Sequence, residues 1–164
     1  MIKSKKTEIF VPGRLCLFGE HSDWAGSNKV INSKIVPGCA IVTGIQQGIY
    51  AEVEENDSFL YTSDLQGDLN NRYECQMNPQ MLKAEAEKGG FYSYIAGVAS
   101  CISENYPVLG IHIHVKKMDL PMKKGLSSSA AICVLVAKAF NALAPKSNVT
   151  AKPSNTYITT MLSP

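Results

Sequence analysis

The sequence predicts a mixed α/β (α+β) fold, a single mixed sheet with helices packed on it. Three observations predict it. Short apolar runs punctuated by turn residues fill the first 62 residues. After residue 90, an apolar pattern of helical period, an alternating strand and a second helical pattern follow in turn. With 164 residues, 45% hydrophobic and 18% charged, the chain is long enough to bury a core and too apolar to stay unfolded.

The elements follow in order. Glu8 to Val11 and Leu15 to Phe18 read as two short strands around a Pro12-Gly13 turn. Ser22 to Lys34 is polar and reads as a loop. Ala40 to Ile45 and Ile49 to Val53 read as strands, with Gly44 and Gly48 flanking their connection, and Phe59 to Thr62 is a further strand. Asp64 to Asn78 reads as an irregular connection. Phe91, Tyr94, Ile95, Val98, Ala99 and Ile102 recur at helical spacing, between Gly89-Gly90 and Pro107. Ile111, Ile113 and Val115 alternate with His112, His114 and Lys116, the mark of a half-buried strand. Ser127 precedes a second apolar helix that runs to about Ala144, where Pro145 stops it; Ile132, Leu135, Val136, Ala139 and Phe140 form its buried stripe. The expected organisation is an extension over 1–7, one domain over 8–144, and a polar, disordered or aberrant tail over 145–164.

A net charge of +2 implies neither a nucleic-acid nor a membrane partner. Lys116-Lys117 read as solvated surface, while Lys123-Lys124 leave open a positive field for phosphates. Five scattered cysteines without a CxxC pair argue against a disulfide framework. No apolar segment follows Met1 and no run is long enough to span a bilayer, so a reducing cytoplasm is the expected location.

Two segments carry the chemistry. Gly125-Leu126-Ser127-Ser128-Ser129-Ala130 stands at a helix start, where free backbone N–H groups and the helix dipole favour an anion. Its small side chains admit phosphate oxygens closely, and a serine hydroxyl can ligate Mg²⁺. A plain serine cap is the simpler account of that segment alone. In Gly13-Arg14-Leu15-Cys16-Leu17-Phe18-Gly19-Glu20-His21-Ser22-Asp23, strand alternation puts Arg14, Cys16 and Phe18 on one face. Arg14 can aim a guanidinium fork at phosphate, and Glu20, His21 and Asp23 match the donors and acceptors of sugar hydroxyls. A charged surface turn with Arg14 in a local ion pair is the simpler account of these residues one by one. His112 and His114 share a strand face but lack a third ligand at metal spacing, so they read as two exposed histidines.

Taken together, the two segments resemble the first two motifs of the GHMP small-molecule kinases, and the Arg14 segment is most similar to galactokinase. The resemblance runs from about Glu8 to Ala144, with Cys16 and Trp24 standing where galactokinase-like motifs have Asn and Tyr. It implies the N-terminal lobe of an ATP-dependent sugar kinase with Mg²⁺ as the metal. By the same resemblance, Arg14 would stabilise the transferring phosphate, and Glu20, His21 and Asp23 would bind sugar hydroxyls. Gly125 to Ala130 would wrap the ATP phosphates, with Ser129 as the Mg²⁺ contact. The family takes its catalytic carboxylates from later in the chain, yet no Asp or Glu follows Asp119 here. The chain alone is therefore expected to be catalytically weak or dead. A complementing C-terminal lobe or self-association would be expected to cover apolar surface. A non-catalytic sugar and nucleotide sensor, or a truncated product, are the alternatives.

Overall fold

The computed structural model describes residues 6–20, 25–36, 38–65, 71–120 and 127–143. Five strands and three α-helices appear among them: β1 (Thr7–Phe18), β2 (Ile41–Asn56), β3 (Phe59–Ser63), β4 (Arg72–Cys75), α1 (Pro79–Glu87), α2 (Ser93–Asn105), β5 (Gly110–Met118) and α3 (Ser128–Leu143). A short 3-10 helix spans Ala25–Val30. The sheet order is β1-β2-β5-β3-β4. It is mixed, as the sequence predicts: β2 and β4 run antiparallel to their inner neighbours, while β3 and β5 are parallel. The parallel pair needs a long crossover, and β4, α1 and α2 supply it.

Four expectations are corrected. Pro12-Gly13 make no turn, because β1 is one continuous strand at the sheet edge, where a missing N–H costs no ladder bond. Gly44 and Gly48 likewise lie inside one long strand, β2. A side chain at Gly48 would meet the Val11 carbonyl at 2.3 Å, so this glycine permits close strand contact rather than a break. The polar stretch after Ser22 contains the 3-10 helix, and the connection after Asp64 contains β4. Polar composition hid β4, whose Tyr73 stacks on Tyr92 with ring centroids 4.7 Å apart.

Helix α1 carries a signal in the sequence that apolar periodicity missed. Asn78 Oδ1 accepts from the N–H groups of Gln80 and Met81 at 3.0 and 3.2 Å, and Pro79 stands at the first turn. Gly89, at φ +71°, follows the α1 cap residue Lys88, so it closes α1 as well as preceding α2. Ser100 Oγ on α2 donates to the Pro79 carbonyl at 3.0 Å and ties the two helices together.

The core lies between the sheet and the helices. Ile49, Val53, Phe59, Tyr61, Ile113 and Val115 are buried from the sheet, and Leu82, Ile95, Ala99, Leu135 and Val136 from the helices. Each large apolar side chain fully buried here contributes about 1.5–3 kcal/mol. The α3 stripe is buried as expected at Leu135, Val136, Ala139 and Phe140, with Ala131 beside it and Ile132 only half-buried. Two compact units are distinguishable, one of residues up to Leu15 and from Gly44 through α3, the other of Cys16–Thr43. No helix among the described residues is long and apolar enough to cross a membrane. The expected tail over 145–164 lies outside the described residues.

Candidate functional site

Strand β1 carries Arg14, and the residues just before it are held at three successive points. Lys138 Nζ on α3 donates to the Phe10 carbonyl at 2.9 Å. The Val11 carbonyl faces Gly48 on β2. Gly13 is buried, and a β-carbon there would lie 2.3 Å from Leu120 Cδ2 and 3.1 Å from Ile45 Cδ1. Glycine at 13 therefore makes room for Leu120, which stands five residues before Gly125 in sequence. The fold thus brings the residue preceding Arg14 against Leu120, just past the end of β5.

Arg14 itself is exposed and has no ion-pair partner among the described residues. Within β1 the inward alternation holds at Ile9, Val11 and Gly13 and ends at Leu15, which is exposed. Beyond it, the Cys16 thiol donates to the Phe18 carbonyl at 3.3 Å. Gly19 turns the chain at φ +85°, and Glu20 follows it, exposed. His21 and Asp23 lie outside the described residues, as do Gly125, Leu126, Lys123 and Lys124.

Of the second motif, Ser127, Ser128, Ser129 and Ala130 are described. Ser127 has φ 55°, an uncommon left-handed conformation for a residue with a side chain. Its carbonyl accepts the Ala131 N–H at 2.9 Å, closing the first turn of α3. That turn holds no acidic residue, so nothing within it neutralises the positive end of the helix. A left-handed residue leading into a right-handed helix turns successive N–H groups toward one point, a geometry suited to an anion. Ser129 is exposed and offers one neutral oxygen. No cluster of three or more His, Cys, Asp or Glu side chains suited to a metal occurs among the described residues. A lone hydroxyl fits Mg²⁺ only where phosphate oxygens complete the shell.

The lysines outside the loop are structural. Lys116 pairs with Glu52 and approaches Glu8 at 3.8 Å. Lys117 pairs with Asp119 at 2.9 Å and lies over the Tyr50 ring. These hydrogen bonds raise both ammonium groups above their ordinary range. His112 and His114 are half-buried rather than exposed. Thr62 Oγ1 bridges them, at 2.8 Å from His112 Nε2 and 2.9 Å from His114 Nδ1. Glu54 and Asp64 hold the outer ring nitrogens at 3.3 and 3.0 Å. Both rings are thus occupied by sheet neighbours, which spacing along one strand could not reveal.

The fold class is that of a mixed α/β domain in which a left-handed Ser127 leads into α3. Residues 93–155 match the family model described as the GHMP kinases N terminal domain. A galactokinase from Haemophilus influenzae (strain PittEE) is 30% identical over 133 residues, covering 79% of this chain and 30% of the relative. A galactokinase from Thermotoga petrophila is 28% identical over 135 residues, covering 82% and 32%. Among solved structures, the Methanococcus jannaschii mevalonate kinase superposes with a TM-score of 0.66 at 23% identity, covering 88% of this chain and 42% of that one. A Lactococcus lactis galactokinase complexed with galactose gives 0.61 at 24% identity, covering 80% and 31%. The chain has the sequence and fold of a GHMP-kinase N-terminal region, galactokinase-like in sequence. It spans about 30% of the length of the curated galactokinases it matches.

Proposed function

We propose that this chain supplies the nucleotide- and sugar-binding part of an ATP-dependent sugar kinase, with residues 8–144 as its working domain. In that reaction the bond between the γ-phosphorus and the ADP oxygen breaks and a bond to a sugar oxygen forms. Charge spreads over the phosphoryl oxygens meanwhile, and stabilising it is most of the catalytic task. Arg14 is assigned to that charge. Glu20, His21 and Asp23 are assigned to the sugar hydroxyls, and Gly125, Leu126, Ser127, Ser128, Ser129 and Ala130 to the ATP phosphates. Ser129 would contribute one oxygen to Mg²⁺, which when bound draws charge from the polyphosphate.

The observation that carries this reading is the start of α3. Ser127 pays the cost of a left-handed backbone directly before a helix whose first turn lacks acids. A plain helix cap needs no such conformation, because cap residues are ordinarily extended.

The sugar hydroxyl must also lose a proton, and a carboxylate is the usual acceptor. None follows Asp119 in this sequence. We therefore expect the 164-residue chain to bind Mg-ATP and to show little or no turnover. The alternative reading is a sugar and nucleotide sensor without catalysis. Calorimetry with Mg-ATP and with a sugar panel tests both, beside a kinase assay on the same protein. Binding that Arg14→Ala or Ser129→Ala weakens supports the binding assignment. Turnover by the chain removes the sensor reading, and binding of neither ligand removes both.

A further inference from the structure

The carboxylate of Asp119 is the last in the sequence and stands between β5 and the Ser-rich motif. Its Oδ1 accepts the Gly48 N–H at 2.6 Å, and its own N–H donates to the Gly48 carbonyl at 3.2 Å. Oδ2 pairs with Lys117 at 2.9 Å. Both main-chain polar groups of Gly48 are thus bound by one residue 71 positions away. Gly48 in turn faces the Val11 carbonyl on β1, and the next residue, Leu120, fills the space over Gly13. The end of β5 is therefore fastened to β2 by Asp119 and to β1 by Leu120, one residue short of Arg14.

We propose that Asp119 is a positioning residue, which fixes the strand carrying Arg14 against β2 and the end of β5, from which the sequence runs on to the Ser-rich motif. The inference rests on the nucleotide-binding reading above and adds a residue to it. A bare charge would not serve, because the tether depends on an acceptor at the reach of an aspartate. Lysine pairing is secondary, since Lys117 lies mostly exposed and touches only the outer oxygen.

The test uses the 164-residue chain, a non-hydrolysable ATP analogue with Mg²⁺, and calorimetry. Asp119→Asn keeps an oxygen for the Gly48 N–H and should bind within about threefold of the wild type. Asp119→Glu keeps the charge and misplaces it, and should bind about tenfold more weakly, as should Asp119→Ala. Lys117→Ala should bind within about twofold. Exchange of the Gly48 amide, followed by NMR, should quicken in the Ala and Glu variants and not in Asn. Should Asp119→Ala not fold, the contrast between Asn and Glu carries the test. Wild-type affinity in the Glu variant, or equal losses in Asn and Glu, would overturn the proposal. A wild type that protects the Gly48 amide and ignores the nucleotide analogue would leave the tether standing and remove the kinase reading, and with it the positioning role.

Discussion

The carbonyl of Cys39 lies 2.0 Å from where a β-carbon on Gly19 would stand, and Gly19 sits at φ +85°. The two constraints are independent. A left-handed backbone costs an L-residue roughly 1–2 kcal/mol, and the opposing atom is main chain that cannot rotate aside. Gly19→Ala should therefore destabilise by at least about 2 kcal/mol. Urea unfolding is the check, and a midpoint like that of the wild type would refute it.

Thr62→Val should cost about 1–2 kcal/mol despite its matched shape. The valine leaves His112 Nε2 and His114 Nδ1 facing a methyl group. Thr62→Ser keeps the hydroxyl and should recover most of the loss, which a pair of urea curves would show.

Asn78→Ala should lower stability by about 1 kcal/mol, because two N–H groups at the start of α1 lose their acceptor. Asn78→Asp, an equally good cap, should be near neutral in the same assay.

Stability should fall in acid for identifiable reasons. The Gly48 N–H, then Lys117, holds the Asp119 carboxyl below its ordinary 3.8. Lys116 does the same for Glu52, and Ser58 with Arg72 for Glu74, each from 4.5. A carboxylate with a lowered folded value adds stability that is fully present above its unfolded value and lost as pH falls through the folded one. The urea midpoint should thus hold from neutral pH to about pH 5 and decline below it. Asp119→Asn should show a shallower decline. The raised values of Lys116 and Lys117 act oppositely, their contribution being complete below 10.5 and lost above it.

Sequence patterning was most informative where one face of an element is buried. The β5 and α3 patterns and the strand at Phe59 stand where the sequence put them, because apolar side chains there meet the core; in α2, Ile95, Val98 and Ala99 do so, whereas Phe91 lies before the helix and Tyr94 is exposed. Glycine and proline misled where they serve packing instead of turning. Gly13 and Gly48 exist to admit Leu120 and the Val11 carbonyl, partners distant in sequence. Asn78-Pro79 was a readable helix start that apolar spacing alone passed over. At the candidate site, Arg14, Glu20 and the serines stand out in the sequence through the motifs that resemble the GHMP kinases, and taken one by one they read as a surface turn and a helix cap. Asp119 does not stand out, since nothing in the sequence tells an aspartate in a polar stretch from one bound to both polar groups of a glycine on another strand.

The manner in which β1 is fastened bears on how the chain keeps to itself. Successive residues of a strand turn their polar groups to opposite sides, so with Val11 facing β2, Phe10 and Pro12 face outward. The outward Phe10 carbonyl is already taken by Lys138, and Pro12 has no N–H to offer. An incoming strand would find one acceptor occupied and one donor missing there, with a lysine in its way. The open edge is thus a poor template for fibril growth or strand exchange along the stretch that leads to Arg14.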